Sequence, residues 1–110
     1  MLSGVDPGGG RTFSDCDLTS STSALATIAV GTVQYNSNAS PRQVFVRRNG
    51  DTTAAGGSNL VAYQNIGVIW QVNAFAVPLD DGNIFEYATD AVGANTEQLY
   101  YHLNGYWEWA

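Results

Sequence analysis

A chain of 110 residues, 45% hydrophobic and 13% charged, is long enough to bury one core and too short for two. Its basic residues are four arginines against ten carboxylates, and the net charge of −6 argues against nucleic acid, whose phosphates call for clustered Arg and Lys. The lone Cys16 excludes an intrachain disulfide, and no run approaches the roughly 20 apolar residues of a membrane-spanning helix.

Residues 1–11 (MLSGVDPGGGR) lack the basic and apolar stretches of a signal peptide and end in a run of glycines. They read as a flexible N-terminal arm ahead of one domain over residues 12–110, in a protein made and kept in solution. An arm of this kind can strap onto a partner, and Val5, Pro7 and Arg11 are its candidate contacts. Asp15 and Asp17, on either side of Cys16, read as solvent-facing. Cys16 reads as a small buried hydrophobe and not a nucleophile, since the only histidine, His102, lies far along the chain.

Residues 24–35 (ALATIAVGTVQY) alternate in the period of a strand, with Ala26, Ile28, Val30 and Thr32 on one side and Leu25, Thr27, Ala29, Gly31, Val33 and Tyr35 on the other. Turn residues 36–41 follow, then a second strand over 43–48 (QVFVRR), and the two are expected to pair as a hairpin. Arg47 and Arg48 are expected at its exposed end. Asn49-Gly50-Asp51 signals a tight turn, residues 52–59 a small-residue loop, and residues 60–63 a return to strand.

Residues 66–79 (IGVIWQVNAFAVPL), the most apolar stretch, are expected as one long, bent strand near a sheet centre. Asp80, Asp81 and Asn83 around Gly82 then form a turn into a short strand over 84–87, which implies a second hairpin. Their oxygens could begin a cation site, but the EF-hand spacing and its distal Glu are missing, so turn chemistry is the preferred reading. After a loop over 88–96, residues 98–109 form an aromatic strand. Tyr100, Tyr101, Tyr106, Trp107 and Trp109 cannot all be buried in a domain this small, so some are expected on the surface. Tyr106, Trp107 and Trp109 are the candidate partner contacts there.

Six or seven short strands separated by Gly, Asn and Asp turns, with no helical periodicity, predict an all-β fold. A single β-sandwich with jelly-roll connections buries such strands without helices. No catalytic residue, metal ligand or cofactor site is assigned. The single histidine has no companion, no nucleophile-elbow motif is present, and nothing places two carboxylates at a glycosidase separation.

The order of these segments resembles a phage β-sandwich module of capsid decoration (cement), head-fibre and tail-fibre proteins. The resemblance rests on Asp15-Cys16-Asp17-Leu18-Thr19-Ser20, on Val44-Phe45-Val46-Arg47-Arg48-Asn49-Gly50, on Val77-Pro78-Leu79-Asp80, on Gly82-Asn83-Ile84-Phe85-Glu86-Tyr87 and on Leu103-Asn104-Gly105-Tyr106, and spans residues 13–107. It implies a non-enzymatic virion protein, made in the host cytoplasm and carried on the particle surface. Its expected partners are the major capsid protein or another virion component and further copies of itself, as a trimer, with neither nucleic acid nor membrane as partner. The length leaves no room for a fibre shaft, which favours decoration; the alternative is a receptor- or glycan-binding module. A third reading is a β-sandwich that assembles into filaments through its arm.

Overall fold

The computed structural model describes residues 13–37, 42–57, 59–64, 71–89 and 97–108. They form seven strands and no helix: β1 (Ser14–Asp17), β2 (Ala26–Ser37), β3 (Arg42–Arg48), β4 (Leu60–Gln64), β5 (Gln71–Pro78), β6 (Ile84–Thr89) and β7 (Glu97–Glu108). All pairs are antiparallel, in one sheet of order β1-β6-β3-β4 and another of order β5-β2-β7. The fold is therefore the all-β sandwich that the strand and turn pattern implies. Every connection except β3–β4 passes from one sheet to the other, as in a jelly roll with seven of its eight positions filled by described strands.

Pairing departs from the sequence expectation in two places. Neither β2 with β3 nor β5 with β6 forms a hairpin; each pair lies in opposite sheets. Loop length does not decide the matter, since the connections, residues 38–41 and 79–83, are as short as hairpin loops; pairing instead puts β3 between β6 and β4, and β6 between β1 and β3. β5 is likewise not central among the described strands. It flanks β2, which is the middle strand between β5 and β7. Residues 66–70, expected in the same strand, lie outside the described residues, as do the arm residues Val5, Pro7 and Arg11, and Trp109.

Strand alternation sorts the side chains. From β2, Ala29, Val33 and Tyr35 point inward and are fully buried, joined by Phe75 and Val77 of β5 and Tyr101 of β7. Cys16, Val44, Val46, Phe85 and Tyr87 meet them from the other sheet. The aromatic centre packs edge to face: Tyr101 lies 5.3 Å from Phe75 and 5.5 Å from Phe85, ring centre to ring centre, with interplanar angles of 82° and 74°. Gly31 is where the sheet closes most tightly, since a Cβ there would stand 2.1 Å from the His102 carbonyl oxygen. The β2–β7 ladder shifts register beside it, between Val30 and Gly31.

The two outer faces differ. On the four-stranded sheet, Asp15, Arg47 and Glu86 share the outward side, and Arg47 Nε donates to Glu86 Oε1 at 2.9 Å. Arg48, the last residue of β3, is exposed as expected, but its neighbour Arg47 is not. The Arg47 guanidinium lies 3.7 Å from the Phe13 ring centre and donates through Nη1 to the Thr53 carbonyl, so only 16% of the side chain meets solvent. On the three-stranded sheet, Ile28, Val30, Thr32 and Gln34 of β2 point outward. They stand in register with Pro78, Ala76, Ala74 and Val72 of β5 and with Trp107, Gly105, His102 and Tyr100 of β7.

Candidate functional site

The loops before β2, after β3 and before β6 gather at one end of the sandwich, together with the last residues of β7. Short polar side chains tie them to one another. After β1 the chain dips inward at the fully buried Leu18, whose N–H donates to the Asn83 carbonyl at 2.9 Å and whose carbonyl accepts from Ser21 and Thr22. Asp17 Oδ1 accepts from the Thr19 N–H at 2.8 Å and from the Thr19 hydroxyl, which lies 3.2 Å from the Gly82 carbonyl. These donors, the Thr19 hydroxyl foremost, hold the exposed Asp17 carboxyl below its usual range.

Asp80 builds the β5–β6 turn. Its Oδ1 accepts from Gly82 N–H at 3.0 Å and Ile84 N–H at 2.9 Å, and its Oδ2 from the Asn49 amide at 2.7 Å, which reaches over from the turn after β3. Burial alone would raise this carboxyl, but the Asn49 amide and the two backbone donors outweigh it and hold it lowered. Asn83 takes a left-handed backbone, φ 61°, which Asn tolerates better than most residues. Its buried amide donates to Thr22 Oγ1 at 2.9 Å and to the Ser23 carbonyl at 2.8 Å. Arg48 Nε reaches the Leu79 carbonyl at 3.2 Å, and the tight turn closes with Asp51 N–H on the Arg48 carbonyl at 3.0 Å around Gly50 at φ 86°.

The turn chemistry read at Asp80 and Asn83 is present, and it does more than turn the chain: it links three loops. Among the described residues no three of His, Cys, Asp and Glu gather where a metal ion could be held. Cys16 is buried, and burial pushes its thiol up to about 11, so it holds its proton at neutral pH.

Among the polar residues of this end stand two large exposed apolar side chains. Trp107 is 67% exposed and Leu25 56%, beside an open groove of about 380 Å3 lined by Ala24, Leu25, Thr27, Leu79 and Asp81. The Thr27 hydroxyl donates to the Trp107 carbonyl at 3.2 Å, which fastens the end of β7 to the start of β2. Tyr106 and Trp107 do not act side by side. Tyr106 opposes the inward Ala29 and Trp107 opposes the outward Ile28, so they project from opposite faces of β7, Tyr106 with 37% exposure. The sequence reading put Leu25 on a strand face with Val33 and Tyr35 and Asn49 in a tight turn, and gave neither a part in the site. Leu25 follows a Ser/Thr-rich turn, where an apolar side chain has no core to enter, and that was the available signal.

The chain matches no protein-family model and has no significant sequence match among curated proteins.

Proposed function

We propose that this protein is a non-catalytic binding module of a phage particle that attaches through its loop end to the assembled shell and stabilises it. The observation that carries the reading is a loop end whose exposed apolar groups, Leu25 and Trp107, stand on a scaffold of side-chain bonds from Asp17, Asn49, Asp80 and Asn83. Loops fixed before binding lose little entropy on docking, and a large exposed ring on a rigid base is the usual anchor of a protein interface. The phage setting comes from the resemblance of segment order over residues 13–107. The mechanism is mass action: a ligand that binds only the assembled shell adds its binding energy to that shell's stability.

The test is sedimentation of purified protein with expanded phage shells stripped of small surface proteins. Binding at a fixed ratio to shell subunits, lost in Leu25→Glu, supports the proposal; absence of binding at any ratio refutes it. The exposed Trp107 ring also suits sugar stacking. Signal on a glycan array without shell binding would move the assignment to the receptor-binding alternative.

A further inference from the structure

The outer face of the β5-β2-β7 sheet departs from what a solvated sheet face should be. An antiparallel sheet with one face on the core normally turns polar and charged residues to water on the other. Here four rows of three outward positions carry no Asp, Glu, Lys or Arg. Val72 is 62% exposed, Ile28 37% and Trp107 67%, and Ala74 and Ala76 of β5 are exposed between them. The other sheet serves as an internal comparison, since its outward positions hold Asp15, Arg47 and Glu86. Charged residues concentrate on protein surfaces, so a contiguous face without one is a place where something apolar or uncharged is meant to sit.

We infer that this face is covered by a second copy of the same chain. Two copies each of net charge −6 repel over a Debye length of roughly 8 Å, so close approach is favoured where neither presents a carboxylate. This face meets that condition on both sides of the contact. A basic partner would be recognised through carboxylates, which the face lacks, and an anionic lipid surface would repel a chain of this charge. Small and large positions stand in adjacent rows of the face, Ala76 and Gly105 beside Val30 and Trp107 beside Ile28. Face-to-face packing at about 10 Å is the geometry the molecule already uses inside. Three strands about 4.8 Å apart and eight residues of about 3.3 Å give a flat footprint of roughly 14 by 26 Å, below that of a permanent dimer, so association should depend on concentration.

The face adjoins the loop end proposed for shell docking at Trp107, so the test substitutes Val72 and Thr32, which lie away from that end. That test is sedimentation equilibrium of the full chain from micromolar to near-millimolar concentration, on wild type, Val72→Glu, Thr32→Glu and the loop control Thr52→Glu, each checked for an unchanged far-ultraviolet spectrum. The wild type and the control are expected to rise from 11.7 kDa toward twice that mass, while Val72→Glu and Thr32→Glu stay monomeric. A wild type that stays monomeric throughout, or an oligomer indifferent to both face substitutions, overturns it.

Discussion

Asn83 concentrates in one residue the chemistry that holds the loop end together. Its φ of 61° costs an ordinary residue about 1 kcal/mol, and its amide makes two buried hydrogen bonds worth about 1 kcal/mol each. Asn83→Ala should therefore lower stability by about 2–3 kcal/mol, read as a drop in urea midpoint at unchanged slope. Asn83→Gly, which relieves the backbone term alone, should lose about 1 kcal/mol less; equal losses would show that the backbone term is absent. The titratable groups set the pH range of stability. Asp17, Asp51 and Asp80 are lowered from 3.8 by the donors they accept from, so their contribution is present at neutral pH and is lost as pH falls through and below that value. Burial raises Cys16, from 9.0 to about 11, and the phenols of Tyr87 and Tyr101. Between pH 9 and 11 the unfolded chain gives up the thiol proton and the folded chain keeps it, so stability falls as pH rises. A plot of Tm against pH should thus be flat through neutrality and descend on both sides. In Cys16→Ala the alkaline descent should begin about one pH unit later, at the phenols; an identical onset would mean that the thiol plays no part.

At the scale of the element, the β2–β7 ladder leaves no room for a side chain at Gly31. A methyl group at Gly31 would overlap the His102 carbonyl, and neither backbone can yield without opening the sheet, so Gly31→Ala should cost more than about 3 kcal/mol or prevent folding. Gly105, across the same ladder, has open space where its Cβ would be, and Gly105→Ala should change stability by less than about 0.5 kcal/mol. Thermal unfolding of the pair separates a close-approach effect from a general penalty on β7. The contrast marks what alternation can and cannot convey. Period-2 patterning identified β2 as a strand and put Val33 and Tyr35 on one side of it, the side that turns out to be buried. It could not choose partners, since strands of both sheets satisfy the same pattern, and so hairpins were expected where the chain crosses between sheets. Arg47 was misplaced for the same reason: its partner Glu86 is 39 residues away, opposite it only once β3 and β6 pair.

For the whole molecule, the division of surface matters more than any single residue. One sheet holds Asp15, Arg47 and Glu86 at outward positions, the other has four outward rows free of charge, and the loop end between them holds Leu25 and Trp107 on a bonded scaffold. The exposed Trp107 was legible from the crowding of aromatics near the C-terminus. The scaffold was not, because its bonds join residues as distant as Thr22 and Asn83, 61 positions apart. This division of surface is what the two proposals rest on, the uncharged face for a second copy and the loop end for the shell. Thermal denaturation of expanded phage shells with and without saturating protein tests that central claim most directly. Shell melting should rise with wild-type protein and return to the bare-shell value with Trp107→Ser, in which the anchor ring is removed from the surface and the core is left intact. Shells that melt at the same temperature with and without wild-type protein would contradict the account.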